Sequence, residues 1–176
     1  MKIIITGGPG MGKTSIIDTL KEMGYSIVPE SGRNIIRNQT KICGDRLPWK
    51  DRKGFAEKMF HQAIEDFNCA GRHGDLTFFD RGLPDAIGYL LLCQLPVPEA
   101  MWLAAQHYRY YEKVFITPPW KDIYINDEER KQTFEEAIKT FEIMDTLYRH
   151  LGYSVIEIPK TAVSERAGLI LQETGK

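Results

Sequence analysis

Residues Gly7–Thr14 read GGPGMGKT and match the pattern G-x-x-x-x-G-K-[ST]. The segment follows the apolar run Lys2–Thr6 and precedes a helical pattern that begins near Lys13. Glycines let successive backbone N–H groups approach phosphate oxygens, and a helix N-terminus adds a positive dipole end. The segment therefore predicts a phosphate loop that binds a nucleoside triphosphate, in preference to a glycine-rich turn without a ligand.

Two side chains of the phosphate loop have predicted roles of their own. Lys13 would supply positive charge to the β- and γ-phosphates, and the Thr14 hydroxyl would coordinate Mg²⁺. ATP and Mg²⁺ are therefore the predicted ligands. The nucleotide-binding residues predicted in this segment are Gly8, Pro9, Gly10, Met11, Gly12, Lys13, Thr14 and Ser15.

Short β-branched or aromatic runs alternate with longer helical patterns along the chain, which predicts an α/β fold with a five-stranded parallel sheet and helices on both faces. The predicted strands are Lys2–Thr6, Tyr25–Pro29, Leu76–Asp80, Lys113–Thr117 and Ser154–Ile158. The helical patterns include Lys53–Ala70 and Asp127–Leu151, and the polar segment Asn38–Lys50 is predicted to be a mobile loop. With 176 residues, the chain is expected to form one domain over residues 1–176.

Composition gives no support to a nucleic-acid or membrane partner and leaves a local basic cleft open as an alternative. The 23 basic and 24 acidic residues nearly cancel, so no overall field favours nucleic acid or an anionic membrane. The three cysteines and four histidines have neither zinc-ligand nor disulfide-framework spacing. No apolar stretch is long enough to cross a bilayer, so we expect a soluble cytoplasmic protein. The oligomeric state is not indicated.

The segment Phe78–Gly82 reads FFDRG and ends a predicted strand with an acid. Because carboxyl ends of parallel strands share one edge of the sheet, Asp80 is expected beside the phosphate loop as a magnesium-side carboxylate. Arg81 would then reach phosphate oxygens. The alternatives are a helix N-cap for Asp80 and a surface position for Arg81.

The FDRG segment, continued by Asp85–Tyr89, resembles the third strand and following helix of thymidylate-kinase-type nucleotide kinases. The whole chain resembles a family of small bacterial ATP-binding proteins labelled as AAA domains and related to nicotinamide-ribonucleotide kinases. The marks of that resemblance are GGPG-x-GK-[ST] at Gly7–Thr14, VPE at Val28–Glu30, FDRG-x-PDA at Phe79–Ala86, VF-x-TPPW at Val114–Trp120 and an ERxxxF-like stretch at Glu129–Phe134. The resemblance implies ATP binding and a three-layer P-loop kinase-like fold, without naming a substrate.

Glu30 follows the second predicted strand, where a carboxylate faces the acceptor in nucleoside and nucleotide kinases. A general base there would take the proton of the attacking hydroxyl. Arg33, one helical turn later, would hold an acceptor phosphate or carboxylate. The predicted substrate-binding residues are thus Glu30, Arg33 and Arg81, while Glu30 and Arg33 have the alternative of ordinary helix-surface positions.

Two further segments have weaker predicted roles. The charged run after Trp120 begins a helix where small kinases have a closing lid, so Arg130, with Lys131 beside it, is predicted to close over the triphosphate. The connection after the fifth strand is predicted to pass the nucleobase at Thr161 and Ala162, with a plain helix start as the alternative.

Together these patterns predict a kinase that transfers the γ-phosphoryl group of Mg-ATP to a small nucleoside- or nucleotide-like acceptor. Lys13, Asp80, Arg81, Glu30 and Arg130 are the predicted catalytic residues, and Thr14 and Asp80 are the predicted metal ligands. The alternative is an ATPase or a nucleotide-dependent switch without a small-molecule acceptor. A GTPase is disfavoured because no guanine-recognition sequence is present, and the D-x-x-G of Asp85–Gly88 falls in a helical pattern.

Overall fold

The strands of the structure, which is a computed structural model, form a single parallel sheet. The model describes residues 1–70, 76–124 and 133–175. The strands are β1 (Lys2–Gly7), β2 (Ser26–Val28), β3 (Thr77–Asp80), β4 (Lys113–Thr117) and β5 (Ser154–Glu157). They pair in the order β2-β3-β1-β4-β5, and every pairing is parallel. The predicted fold class is confirmed.

Helices connect the strands and cover both faces of the sheet. They are α1 (Lys13–Glu22), α2 (Ser31–Lys41), α3 (Arg52–Cys69), α4 (Leu83–Leu92), α5 (Glu99–His107), α6 (Phe134–His150) and α7 (Val163–Glu173). A short 3₁₀ turn spans Lys121–Ile123. None of the helices in the described ranges is long and apolar enough to cross a membrane.

Alternation along the strands divides the core into two clusters. In β1, Ile3 and Ile5 pack with residues of α1 and α7, whereas Ile4 packs with residues of α3, α4 and α6. The neighbouring strand β3 behaves alike, since Phe78 and Phe79 belong to opposite clusters. Successive strand residues point to opposite faces, so a strand covered on both sides is apolar throughout.

Two predicted boundaries are corrected. The segment expected as a loop from Asn38 contributes its first four residues to α2, which continues to Lys41. Helix α6 begins at Phe134 and not at Asp127, because Thr133 has an extended backbone and forms a capping box with Glu136. Residues 127–132 of that predicted helix lie outside the described residues.

The sheet brings three strand ends to one edge. Ile5 of β1 is in register with Asp80 of β3, and Gly7 of β1 is in register with Thr117 of β4. In open parallel sheets, ligands bind beyond the carboxyl ends of the strands, where connections leave in opposite directions. The edge formed by β3, β1 and β4 is therefore the place to search for a site.

Candidate active site

The phosphate loop wraps the N-terminus of α1. Gly12 is the N-cap of that helix with a left-handed φ of 76°, and a side chain there would collide with Arg166 and Ile123. A Cβ on Gly8 would lie 2.6 Å from the carbonyl oxygen of Ala137 in α6. Both positions therefore require glycine, because a side chain would not fit between the loop backbone and its neighbours.

The remaining residues of the phosphate loop are fixed by burial on one side. Lys13 is only 6% exposed, and its Nζ lies 3.5 Å from the carbonyl oxygen of Gly8. Met11 is buried, and its sulfur accepts a hydrogen bond from the backbone N–H of Trp120 at 3.2 Å. Pro9 is also buried, whereas Gly10 is half-buried and Thr14 and Ser15 are exposed at the start of α1.

Arg81, directly after β3, connects the carboxylate at the N-cap of α2 with a carboxylate in α4. Its Nε donates to Glu30 Oε1 at 3.1 Å, and its Nη1 donates to Asp85 Oδ1 at 3.2 Å. Arg81 has a left-handed φ of 76°, which costs on the order of 1–3 kcal/mol for a residue with a side chain. The two ion pairs offset that strain and hold the guanidinium in one position.

Asp85 is the centre of this network. It is 2% exposed, and Oδ1 accepts from the Thr6 hydroxyl at 2.6 Å as well as from Arg81. Oδ2 accepts from the backbone N–H of Gly82 at 2.8 Å and from the Tyr148 hydroxyl at 2.6 Å. Asp85 therefore joins β1, the start of α4, α6 and Arg81. We call Asp85 and its four donors the Asp85 network; the donors are Thr6, Arg81, the backbone N–H of Gly82 and Tyr148.

The pKa values of two side chains in the Asp85 network, Arg81 and Tyr148, are raised by their surroundings. Burial alone lowers the pKa of Arg81, but the charges of Glu30, Asp85 and Asp80 outweigh it and raise that pKa above its usual value. Burial, reinforced by the charge of Asp85, raises the pKa of Tyr148 well above its usual value. Arg81 thus stays charged and Tyr148 stays neutral across the physiological pH range.

Asp80 ends β3 at the edge that carries the phosphate loop. The N-cap of the following helix α4 is Gly82, so Asp80 does not have the alternative role of helix cap. Its Oδ1 is buried and accepts no hydrogen bond from the described residues. This carboxylate oxygen belongs to the chemical class that Mg²⁺ prefers.

A cavity of about 310 Å³ opens beside the phosphate loop, and we call it the central cavity. Its charged lining residues are Glu30, Arg81, Asp85 and Glu136. The rest of its wall comes from the phosphate loop, the helices α2, α3, α4 and α6 and the segment between α2 and α3, and consists of Pro9, Gly32, Ile36, Pro48, Trp49, Phe55, Met59, Tyr89, Leu92, Thr140 and Met144. Its size and mixed lining are typical of a small-molecule site.

The other predicted site residues occupy varied positions. Arg33 lies 3.9 Å from the second oxygen of Glu30, outside the wall of the central cavity. Ala162 is the N-cap of α7, and the Thr161 hydroxyl oxygen is buried without a hydrogen bond to the described residues. The predicted lid residues Arg130 and Lys131 lie outside the described residues.

Sequence reasoning missed the connecting residues of the site. Thr6 and Tyr148 were assigned no role beyond strand and helix packing, and Asp85 appeared only as part of a motif. The available signal was the Gly-x-x-Asp spacing of Gly82 and Asp85, which is typical of an acid that caps the first turn of its own helix. Glu136, the capping-box acid of α6, has the same kind of signal.

The donor set fits a magnesium nucleotide better than a metal held by protein alone. The described parts of the chain contain no group of three or more His, Cys, Asp or Glu side chains able to hold a metal ion. Magnesium in phosphoryl-transfer sites takes one or two protein ligands and completes its shell with phosphates and water. The glycine cradle, the Thr14 hydroxyl and the Asp80 carboxylate have that character.

Comparisons with known proteins agree with this geometry. A family model described as "AAA domain" matches residues 2–166. No curated protein matches the chain in sequence. Among solved structures, deoxyadenosine kinase from M. mycoides with bound dATP is similar, at 16% identity and a TM-score of 0.67 over 100% of both chains.

Two further structures share the fold. Thymidylate kinase from Ehrlichia chaffeensis has 15% identity and a TM-score of 0.67, over 100% of this chain and 98% of that one. Shikimate kinase from Acinetobacter baumannii in complex with shikimate has 18% identity and a TM-score of 0.59, over 98% and 92%. These likenesses show a P-loop kinase fold, while their different acceptors show that the fold does not fix the acceptor.

Proposed function

Because this chain belongs to the AAA-domain family and has a P-loop kinase fold, we propose that it transfers the γ-phosphoryl group of Mg-ATP to a hydroxyl of a small nucleoside-like acceptor. The phosphate loop would bind the triphosphate, and the central cavity would bind the acceptor. The proposal places both substrates at the carboxyl edge of the sheet, with Glu30 and Arg81 between them.

The observation that carries this proposal is the central cavity itself. A protein that only binds or hydrolyses a nucleotide has no need of a second, largely apolar cavity of about 310 Å³ next to its phosphate loop. Pro9 belongs both to the phosphate loop and to the wall of the cavity. A molecule in the cavity would therefore lie next to the bound phosphates, as phosphoryl transfer requires.

The charge of the central cavity supports an acceptor without a phosphate group. Among the described residues in its wall, three carboxylates (Glu30, Asp85 and Glu136) accompany one cation, Arg81. That cation already donates to Glu30 and Asp85. A phosphorylated acceptor would bring two negative charges into an acidic cavity, whereas a neutral or cationic ring would pack against Trp49, Phe55 and Tyr89.

Glu30 is the proposed base for the acceptor hydroxyl. The Arg81 guanidinium donates to Oε1 of Glu30, and the Glu30 carboxylate would accept the hydrogen bond of the acceptor hydroxyl and orient its oxygen. As that oxygen bonds to the γ-phosphorus, the bond to the bridging oxygen breaks, ADP leaves with the electron pair, and the proton passes to Glu30. Phosphoryl transfer has a loose transition state, so orientation counts for more than base strength.

Lys13, Thr14 and Asp80 are the proposed residues on the phosphate side. Magnesium, when bound, neutralises charge on the β- and γ-phosphates. The Thr14 hydroxyl and the Asp80 carboxylate would hold it, and Lys13 would add a fixed positive charge to the same oxygens. The backbone N–H groups of Gly8, Gly10 and Gly12 would cradle the phosphates. Thr161 and Ala162 are proposed to lie near the nucleobase. Arg33 is proposed to support the Glu30 carboxylate, to which it lies close.

The experiment that tests this function is an acceptor screen with γ-labelled ATP and Mg²⁺. Nucleosides, pyridine ribosides and their 5′-monophosphates are compared as acceptors, and Lys13→Ala is the inactive control. We expect label in a nucleoside-type product, with the matching 5′-monophosphate at least tenfold poorer. Label that appears only as inorganic phosphate, whichever acceptor is present, would favour the alternative of an ATPase or switch.

A further inference from the structure

Arg166 in α7 is a buried cation without an acidic partner among the described residues. It is 7% exposed. Its Nη1 lies 3.4 Å from the carbonyl oxygen of Gly12, and its guanidinium lies 5.5 Å from the centre of the Trp120 ring. Its Nε is buried and makes no hydrogen bond with the part of the chain that the structure describes. A carbonyl and an aromatic face compensate a buried charge only in part.

This environment is opposite to that of Arg81, which directly follows β3. Arg81 has two carboxylates within 3.2 Å, and its pKa is raised. Burial lowers the pKa of Arg166, and no acid among the described residues counteracts that effect. Buried charges in proteins are normally paired, so a guanidinium left in this condition requires an anion from elsewhere.

The position of Arg166 against the phosphate loop indicates the kind of anion that would pair with it. Gly12 is the N-cap of α1, so its neighbouring N–H groups are those that the phosphate loop offers to a ligand. A Cβ on Gly12 would lie 2.8 Å from Nη1 of Arg166, which puts the guanidinium directly against the loop. Ile16, Ala167 and Ile170 belong to one buried cluster, so α1 and α7 hold this arrangement firmly.

A second buried polar atom lies on the connection between β5 and α7. The Thr161 hydroxyl oxygen, five residues before Arg166, is buried and makes no hydrogen bond with the described residues. Two such atoms so close in the chain, this oxygen and Nε of Arg166, are unusual in a folded protein unless a ligand completes them.

We propose that Arg166 is a nucleotide-binding residue that contacts a phosphate oxygen of the triphosphate from the α7 side. The inference rests on the proposed ATP binding and adds a second buried cation to Lys13. Arg166 is thereby assigned a role that neither its helix position nor the motif pattern indicates. The positive charge of Arg166 would be paired in the ligand-bound protein, whereas unpaired it would lower the stability of the ligand-free protein.

Thermal unfolding with and without ligand tests this assignment. Arg166→Met keeps the length and apolar stem of the side chain, so we expect the ligand-free Tm to stay unchanged or to rise. The rise in Tm on adding Mg-ATP should shrink, and calorimetry should show at least tenfold weaker Mg-ATP binding. Arg166→Lys, which keeps the charge, should retain part of the ligand-induced shift even if the methionine variant folds poorly.

Two further measurements test whether Arg166 contacts phosphate and supply a control variant. Inorganic tripolyphosphate replaces ATP as a probe without a base or ribose, and Arg166→Met should weaken its binding as well. Lys160→Met removes an exposed cation from the same connection and should leave both affinities unchanged.

The outcomes separate this inference from the proposed function. If Mg-ATP stabilises the wild type and Arg166→Met equally, or if tripolyphosphate binding is unaffected, Arg166 does not contact phosphate. If Arg166→Met lowers the ligand-free Tm and leaves the Mg-ATP affinity intact, the residue is structural and the inference is wrong. If Mg-ATP fails to stabilise even the wild type, the proposed function fails first.

Discussion

The two sides of the phosphate loop balance their buried charges in opposite ways. On the side of the central cavity, Arg81 is enclosed by Glu30 and Asp85, and Asp85 accepts four hydrogen bonds. On the side of α7, Arg166 has a carbonyl oxygen and an aromatic ring as its neighbours. The first arrangement pairs its charges without a ligand, whereas in the second no acid among the described residues pairs with the arginine. We infer that the acceptor half is preformed and that the nucleotide half gains stability when it binds.

The largest expected effect comes from unbalancing the Asp85 network. Asp85→Asn leaves the buried Arg81 with one acid in place of two, and loss of one partner of a buried ion pair costs about 3–5 kcal/mol. We therefore expect the free energy of unfolding, measured by urea denaturation, to fall by about 3 kcal/mol or more.

The matched control is Asp145→Asn, which makes the same change in an exposed ion pair with Arg149 on α6. Exposed pairs contribute about 0–1 kcal/mol, so the control should be nearly as stable as the wild type. Equal losses in the two variants would contradict the view that Asp85 organises a buried network.

The next effect concerns Asp80, the proposed metal-side carboxylate. Asp80→Asn should reduce phosphoryl transfer by about 100-fold or more, roughly 2.7 kcal/mol, because a metal-side acid acts mainly on the transition state. The nucleotide should still bind, as calorimetry can measure. Asp18→Asn, on the exposed face of α1, is the control and should transfer the phosphoryl group at the wild-type rate.

A smaller effect tests the nucleotide half of the site directly. Lys13→Ala should weaken Mg-ATP binding by at least about tenfold, which corresponds to about 1.4 kcal/mol. Lys21→Ala removes an exposed lysine from the other end of the same helix and should leave the affinity unchanged. Unaltered Mg-ATP binding in the Lys13 variant would show that the glycine-rich segment is not a phosphate loop.

The same comparison shows what could be predicted from the sequence. The phosphate loop is one contiguous segment whose spacing carries its chemistry, and strands buried on both faces are apolar throughout, so both were predictable. The Asp85 network was not, because its hydrogen bonds join residues that are 79 and 63 positions apart along the chain. Arg166 was missed for another reason: in a sequence, a buried arginine at the start of a helix is indistinguishable from an exposed one.

The smallest effect distinguishes the central cavity from the nucleotide site. Trp49 is 62% exposed, yet it lines the cavity from the segment between α2 and α3. An exposed aromatic ring at the mouth of an apolar cavity is placed to stack on a bound ring, and such contacts contribute about 0.5–1.5 kcal/mol.

Trp49→Leu should therefore weaken acceptor binding by roughly fivefold, which corresponds to about 1 kcal/mol. Stability should hardly change, because a side chain this exposed contributes little to folding. Mg-ATP affinity should stay at the wild-type level, since Trp49 lines the central cavity and lies outside the proposed phosphate loop. Calorimetric titration with the acceptor found in the screen, and separately with Mg-ATP, measures both quantities. Leu103→Ala, an exposed apolar residue on α5, is the matched control. A Trp49 variant that loses acceptor and nucleotide affinity equally would mean that the two halves are not independent, and the proposed division of the site would have to be abandoned.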